Sequence, residues 1–206
     1  MMNRLVLASA SPRRRELLEG LGIKFDVIVS SEDESKIDKN LSPDLYACEL
    51  ALLKATSVAK MISDEKKRIL ISADTIVSID DKILGKPKDK ADAKEMLKKL
   101  SGKEHYVYTG LCVMRMKDGF ATTKTCKTKV KFKELTDDLI DNYINTNEPM
   151  DKAGAYGIQG KGAVLVESIT GDYFNVVGLP LSMLFDVLKE EFGIDIFNKE
   201  LMYEFE

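Results

Sequence analysis

The sequence predicts an α/β protein, because short apolar runs typical of buried strands alternate along the chain with amphipathic helical stretches. The first apolar run, Leu5–Ala8, leads through a tight turn into a helix that begins at Pro12. A second compact run is Ile69–Ala73. Two long extended stretches flank Asp118-Gly119, which is a strong hairpin signal.

Capping residues, prolines and apolar periodicity predict the other elements. Helices are expected to begin at Ser42-Pro43, Asp89, Thr136 and Pro180. Strands are expected at Phe25–Val29, Ile76–Ile79, Ala163–Ile169 and Phe174–Val177. In the helix after Pro43, steps of three and four residues predict a buried stripe of Leu45, Cys48, Leu52, Ala55, Ala59 and Ile62. Lys54 lies off that stripe, so a solvated lysine is its simplest interpretation.

The composition is that of an ordinary globular protein. The chain has 206 residues, of which 44% are hydrophobic and 32% charged, and its net charge is −3. A general nucleic-acid-binding protein would carry a strong basic excess, so we expect no nucleic-acid partner. Alternating lysines, at Lys127, Lys129, Lys131 and Lys133, are interpreted as the solvated face of a strand.

Cysteine usage and hydropathy predict the compartment. Cys48, Cys112 and Cys126 are odd in number and lack CxxC spacing, which favours reduced thiols over a disulfide framework or a zinc site. The N-terminal apolar run is too short for a signal peptide, and no apolar stretch is long enough to span a bilayer. We therefore expect a cytoplasmic protein without a membrane partner.

The first turn of the first helix carries an unusual charge. A helix N-terminus is already partly positive, yet Arg13, Arg14 and Arg15 occupy it. An anion is the natural compensating partner, since guanidinium groups and the hydroxyls of Ser9 and Ser11 suit phosphate oxygens. On charge alone, three solvated arginines are an equally good interpretation.

Two acidic stretches have the residue types of a site. Asp74-Thr75 interrupts two apolar runs at the expected end of a strand, where α/β proteins place reactive groups, and this favours a function over a turn. The polar segment 30–40 contains Glu32, Asp33 and Glu34. It is interpreted as a solvated loop or as a source of hard oxygen ligands for Mg²⁺ or Mn²⁺.

Two glycine-containing stretches follow. In Gly85-Lys86-Pro87, the proline favours an extended Lys86 that aims its ammonium group at a fixed point, although a surface turn fits equally well. In the segment 151–162, four glycines fall within nine positions, which indicates a tight loop whose backbone approaches a ligand. A purely structural turn is the alternative.

Several of these motifs, in this order, resemble those of the Maf family of nucleoside triphosphate pyrophosphatases. They are Ser9–Arg14, Lys54-Ala55, Ala73–Thr75, Gly85–Pro87, Ser101–Lys103, Glu148–Gly160 and Gly178–Pro180, and they span nearly the whole chain. The resemblance implies hydrolysis of a nucleoside triphosphate to the monophosphate and pyrophosphate with Mg²⁺ or Mn²⁺. It also implies a homodimer and one domain over residues 1–206, with a central elongated mixed sheet flanked by helices and a nucleotide cleft between two lobes.

The resemblance also assigns roles to residues. Asp74 resembles the family's essential carboxylate, which implies a general base and metal ligand, and Glu34 resembles an acid that helps to hold the metal. The implied phosphate-binding residues are Ser9, Arg14, Lys54 and Lys86. We expect Asp74 to deprotonate a water that attacks the α-phosphorus in line with the departing pyrophosphate.

Substrate choice follows from three further matches. Arg13, Thr75 and Gln159 resemble the residues that select dTTP and UTP, whereas the branch acting on 7-methyl-GTP usually has an aromatic residue at the position of Arg13 and Glu at that of Gln159. A neutral amide donates and accepts at once, which matches the adjacent carbonyl and N–H of a pyrimidine edge. Alternatives are a pyrophosphatase for purine nucleotides such as ITP or 7-methyl-GTP, and a non-catalytic nucleotide-binding regulator of cell division.

Overall fold

The computed structural model of the chain describes residues 4–30, 34–38, 40–62 and 68–198. Its strands are β1 (Arg4–Leu7), β2 (Phe25–Val27), β3 (Arg68–Ile79), β4 (Lys82–Leu84), β5 (Glu104–Arg115), β6 (Ala121–Phe132) and β7 (Val166–Thr170). Its α-helices are α1 (Pro12–Gly20), α2 (Pro43–Met61), α3 (Lys90–Leu100), α4 (Asp137–Ile144), α5 (Tyr173–Val177) and α6 (Leu181–Phe192). Short 3₁₀ helices lie at Glu34–Lys36, Glu148–Asp151, Ala153–Ala155 and Gly160–Leu165.

The strands form one mixed sheet flanked by helices, which confirms the predicted fold class. Their order is β2-β1-β3-β5-β6-β7, with β4 paired to β3. β1 pairs in parallel with β2 and β3, whereas the pairs β3–β4 and β6–β7 are antiparallel. None of the helices in the described part of the chain is long and apolar enough to cross a membrane.

The described residues divide into two compact units. The first comprises the described residues of the ranges 4–74, 109–126 and 178–198, and the second comprises residues 75–108 and 127–177. In the first unit, one sheet face packs on α1 and α6 through Leu5, Leu7, Leu18, Ile71, Leu184 and Leu188. The other face packs on α2 through Val6, Leu70, Ala51, Ala55, Val58 and Cys112.

The second unit has its own apolar core between the sheet and two helices. Its members from the strands include Val77, Ile79, Val107, Val130 and Phe132, and those from α3 and α4 include Ala93, Leu97, Leu100, Ile140 and Ile144. Both helices begin as the sequence predicts. Asp89 accepts a hydrogen bond from the N–H of Asp92, and Thr136 accepts one from that of Leu139.

The predicted stripe of α2 is confirmed in part, because Ala55 is fully buried and Leu52, Ala59 and Ile62 pack partly buried against the core. Leu45 is 53% exposed, whereas the buried residues of α2 are Ala47, Leu50, Ala51, Ala55, Ser57 and Val58. This helix approaches β5 closely, because a Cβ at Gly110 would lie 2.1 Å from the carbonyl oxygen of Ala47. A contact that tight requires small residues, so the predicted stripe misses the buried Ala47, Ala51 and Ser57.

The strand predicted at Phe174–Val177 is also wrong, because this segment forms α5. The Asp172 carboxylate accepts a hydrogen bond from the N–H of Phe174 at 2.7 Å and turns the chain there. The buried Asn175 side chain donates to the carbonyl of Val107 at 3.1 Å and to Thr128 Oγ1 at 2.9 Å. Since both partners are distant in sequence, β propensity does not decide this segment.

Alternation along β6 agrees with the predicted solvated face. Thr128, Val130 and Phe132 are buried, whereas the intervening lysines are half-buried or exposed. Two of those lysines form ion pairs, Lys129 with Glu104 at 3.1 Å and Lys131 with Glu167 at 2.8 Å.

Candidate functional site

Asp74 lies inside β3 and not at a strand end, so that part of the prediction is wrong. The parallel register of β1 with β3 stops at Leu7 and Ile71, while β3 runs on to Ile79 and pairs with β4. Successive side chains of a strand alternate between faces, so Asp74 shares a face with Ser72. That face packs on α2, because Ser72 Oγ donates to the carbonyl of Ala51 at 2.6 Å.

Lys54 joins two carboxylates in the first unit. Its Nζ donates to Asp74 Oδ1 and forms an ion pair with Glu34 Oε1 at 2.9 Å. The side chains of Lys54 and Asp74 are only 17% and 13% exposed, whereas that of Glu34 is 55% exposed. A charge withdrawn from water to this extent requires a partner, so Lys54 is not the solvated lysine of the simplest interpretation.

Arg14 adds a second cation near these carboxylates. Its Nε donates to the carbonyl of Gly178 at 2.7 Å, and its guanidinium group also donates to Ser9 Oγ at 3.2 Å. Burial lowers the pKa of Arg14, while the negative charges of Asp74 and Glu34 act in the opposite direction. The cation therefore lies in the electrostatic field of both carboxylates.

Ser9 links the turn before α1 to Arg14. Its Oγ accepts hydrogen bonds from the N–H of Ser11 at 3.1 Å and from Arg14. A hydroxyl oxygen that accepts twice directs its own hydrogen toward a third group. Ser11 is the N-cap residue of α1, but its side chain makes no capping hydrogen bond.

The arginine cluster has partners inside the chain. Arg15 pairs with Glu19 on the exposed side of α1 at 2.7 Å, and Arg14 is held by Gly178 and Ser9. Arg13 is half-buried, and its charge contributes to lowering the pKa of Arg14, so these two cations lie close together. Contacts within the chain thus offset part of the charge repulsion at this helix N-terminus. An external anion is therefore not the only explanation for the three arginines.

Tyr46 belongs to the same neighbourhood, although the sequence reasoning missed it. Burial raises the pKa of Tyr46, Asp74 and Glu34 raise it further, and Lys54 lowers it. Tyr46 lies on α2, about two turns before Lys54. Its position on the helix that carries Lys54 was the available signal.

The remaining predicted site residues lie in the second unit. Thr75 is half-buried in β3, Lys86 is exposed after β4, and Gln159 is exposed just before a 3₁₀ helix. The structure therefore brings together Ser9, Arg14, Lys54 and Asp74 with Glu34, within the first unit. Glu32 and Asp33 lie outside the described residues.

The glycine-rich segment contacts protein groups. A Cβ at Gly162 would lie 2.4 Å from the carbonyl oxygen of Gly157 and 2.6 Å from the hydroxyl of Tyr143. At Gly160, where φ is +69°, a Cβ would lie 3.0 Å from a carboxylate oxygen of Glu148. These contacts with protein groups agree with the alternative of a structural turn, and the predicted approach to a ligand stays a prediction.

The donor set can be compared with what a divalent cation requires. Within residues 4–30, 34–38, 40–62 and 68–198, no group of three or more His, Cys, Asp or Glu is placed to hold a metal ion. Two carboxylates, Asp74 and Glu34, converge on one ammonium group. Mg²⁺ bound with substrate phosphates needs only one or two protein carboxylates, so this pair fits such an ion.

The chain is similar to known proteins over almost its whole length. Residues 4–191 match the family model described as Maf-like protein. A dTTP/UTP pyrophosphatase from Thermoanaerobacter sp. (strain X514) is 54% identical over 93% of this chain and 98% of its own length. Proteins of the same name from Acetivibrio thermocellus and Clostridium botulinum (strain Kyoto / Type A2) are 50% and 52% identical, over 96% and 92% of this chain and 100% and 97% of their own.

A solved structure titled as a HAM1 protein from Coxiella burnetii aligns with 64% of this chain and 73% of its own. The TM-score is 0.43 and the sequence identity 16%. A similarity of that size supports no conclusion about activity.

Proposed function

This chain belongs to the Maf family and is a nucleotide pyrophosphatase, and we propose that it hydrolyses dTTP and UTP to the nucleoside monophosphate and pyrophosphate. The support for these substrates is the similarity to relatives named for them, at 54% identity in one case. The family match over residues 4–191 includes every proposed site residue.

The chemistry is proposed from one observation, the contact of Asp74 and Glu34 with Lys54 Nζ. Asp74 orients a water molecule and takes its proton as the water oxygen attacks the α-phosphorus. Pyrophosphate leaves on the opposite side. Lys54 holds the Asp74 carboxylate in place through their hydrogen bond.

Asp74 and Glu34 would also hold a divalent cation, Mg²⁺ or Mn²⁺. When bound, such an ion neutralises charge on the phosphate oxygens. The phosphate chain is further bound by Ser9, Arg14, Lys54 and Lys86, whose positive charges and hydroxyl group stabilise the charge that develops in the transition state.

Base selection is assigned to Arg13, Thr75 and Gln159. The Gln159 amide can donate to a pyrimidine carbonyl and accept from the adjacent N–H. A carboxylate at this position would accept only and would suit a cationic methylated base. We further propose that the protein acts in the cytoplasm as a homodimer without nucleic-acid partners.

A nucleotide panel tests the proposal. The purified protein is stripped with EDTA, supplied with Mg²⁺ or Mn²⁺, and given dTTP, UTP, CTP, ITP, GTP and 7-methyl-GTP, with products followed by phosphorus NMR. We expect pyrophosphate with dTMP or UMP, little turnover of purines, and no turnover in EDTA.

Each other result has a distinct meaning. Pyrophosphate mainly from ITP or 7-methyl-GTP would contradict the proposed base selection but agree with the proposed reaction. Orthophosphate alone would place attack at the terminal phosphate. Binding without turnover under every metal condition would favour the non-catalytic regulator.

A further inference from the structure

The segment that carries Gln159 is tied down at its C-terminal end by one carboxylate. Glu148 Oε1 accepts a hydrogen bond from the N–H of Gly162 at 2.9 Å, and Oε2 accepts one from the N–H of Lys161 at 3.0 Å. Both carboxylate oxygens are thus used by adjacent backbone donors. A Glu that binds backbone on both oxygens fixes the path of the chain, since each bond has its own direction.

Tyr143 ties the same segment down at its N-terminal end. Its hydroxyl accepts a hydrogen bond from the N–H of Gly157 at 3.2 Å and donates to Glu148 Oε1 at 3.1 Å. Tyr143 is buried on α4, which packs in the core of the second unit. Gln159 therefore lies between two anchored points that share one hydrogen-bond network.

The glycines of the segment fit this arrangement sterically. A Cβ at Gly162 would overlap the Tyr143 hydroxyl at 2.6 Å, and one at Gly160 would crowd Glu148 at 3.0 Å. An added side chain would therefore overlap its neighbours at Gly162 and would be strained at Gly160, where φ is +69°. Two of the four glycines of the segment, Gly160 and Gly162, thus lie against the Glu148–Tyr143 pair.

The protonation states suit the network at neutral pH. Burial alone would raise the pKa of Glu148, but the N–H groups of Gly162 and Lys161 stabilise the carboxylate and hold its pKa below the ordinary value. Burial raises the pKa of Tyr143, so its hydroxyl keeps the proton that it donates. The carboxylate is a pure acceptor and the phenol supplies a donor, as the geometry requires.

Gln159 itself is exposed, so packing of its own side chain does not fix it. An exposed side chain can discriminate between similar bases only if its backbone is held in place. We propose that Glu148 and Tyr143 are positioning residues that hold Gln159 in the orientation that selects the pyrimidine base. This inference rests on the proposed function and deepens its account of specificity.

The test compares Glu148→Gln and Tyr143→Phe with a matched control, Glu167→Gln. Glu167 is an exposed Glu of the same unit that pairs with Lys131. For dTTP and dCTP, kcat and KM are measured separately, because these bases differ in the carbonyl and N–H that Gln159 would read. Backbone hydrogen exchange of residues 157–162 is measured without substrate.

In Glu148→Gln we expect kcat/KM for dTTP to fall about tenfold, mainly because KM rises, while kcat/KM for dCTP changes little. The ratio of the two kcat/KM values, which measures the preference for dTTP, therefore falls about tenfold. Tyr143→Phe keeps the hydrogen bonds that Lys161 and Gly162 donate to Glu148, and it should lower the preference for dTTP about threefold. Exchange in 157–162 accelerates in both variants and not in the control.

An unchanged dTTP preference in both variants, or unchanged exchange in both, would overturn the inference. If the wild-type protein does not convert dTTP or UTP, the proposed function fails instead. In that case the exchange rates alone decide whether the Glu148–Tyr143 pair holds the segment, and unchanged rates overturn that as well.

Discussion

Asp74 and Lys54 of the first unit stabilise each other as opposite charges, and both are partly open to solvent. In the second unit, Glu148 is bound by backbone N–H groups, and the titratable groups His105 and Tyr156 are buried and neutral. A charged side-chain pair can exchange its partner for a ligand, whereas a carboxylate bound to backbone cannot do so without moving the chain. The first arrangement suits catalysis and the second suits positioning.

The chain also contains a matched Lys–Asp pair that serves as a control for the first arrangement. Lys94 Nζ contacts Asp141 at 2.6 and 2.7 Å, but their side chains are 31% and 49% exposed, against 17% and 13% for Lys54 and Asp74. If the proposed roles are correct, equal changes at the two pairs will have very unequal effects.

The largest effect is expected from Asp74→Asn. The amide cannot take a proton from water, so kcat for dTTP should fall about 10³-fold. Nucleotide binding, measured by calorimetry, should largely survive. Asp141→Asn should leave kcat unchanged, and a comparable loss in both variants would contradict the assignment of Asp74.

The second effect concerns stability and the neutral groups of the second unit. His105 is fully buried, its Nε2 lies 2.8 Å from the Tyr156 hydroxyl, and burial lowers its pKa from 6.5 to about 4. Between pH 6.5 and about 4 the unfolded chain therefore binds more protons than the folded chain. The free energy of unfolding should decrease as the pH falls through this range, by at most about 3 kcal/mol. Urea unfolding across this range measures it.

His105 is the single histidine of the chain, so a histidine contribution to stability in this pH range comes from this residue. Carboxylates such as Glu148, whose pKa is lowered, lose their contribution at lower pH. A His105→Gln variant should therefore show a nearly flat stability between pH 6.5 and 5. A wild-type protein of constant stability across that range would show that the histidine is not held neutral.

The third effect is expected from Lys54→Met, which removes the ammonium group and keeps most of the apolar stem. The Asp74 carboxylate then lacks its partner, and one charge on the phosphate chain is unneutralised, so kcat/KM for dTTP should fall about 10²-fold. Lys94→Met breaks the matched pair and should change kcat/KM by less than about twofold. Steady-state kinetics of both variants decide the point.

The smallest effect is expected from Gly162→Ala. The added Cβ would overlap the Gly157 carbonyl oxygen at 2.4 Å, so the free energy of unfolding should fall by about 2 kcal/mol. At Gly20, an added Cβ would meet no atom within 4 Å, and Gly20→Ala should be neutral or slightly stabilising. Denaturant unfolding of both variants compares the two positions, and equal stabilities would show that the loop is not tightly packed.

Local signals predicted much of the fold. The strand–turn–helix that begins at Leu5, the caps at Asp89 and Thr136 and the turn at Asp118-Gly119 are each encoded within a few residues, and the structure contains all of them. The burial of small residues such as Ala47 on α2 was not predictable in this way. It depends on the contact of Ala47 with Gly110, which lies far along the chain.

In the candidate site, too, local patterns predicted some residues and missed contacts between distant parts of the chain. Asp74 stood out because an acid interrupts two apolar runs, and the motif resemblance supplied Lys54. The partners of Arg14 and Glu148 were hidden, because Gly178 lies 164 residues from Arg14 and the donors to Glu148 are backbone groups. Side-chain patterns carry no signal for a backbone partner.

The position of bond cleavage tests the central claim, that water activated by Asp74 attacks the α-phosphorus. A single turnover of dTTP in H₂¹⁸O, followed by mass spectrometry of both products, locates the new oxygen. The account predicts one ¹⁸O atom in dTMP and none in pyrophosphate. Label in pyrophosphate would mean attack at the β-phosphorus and would contradict it.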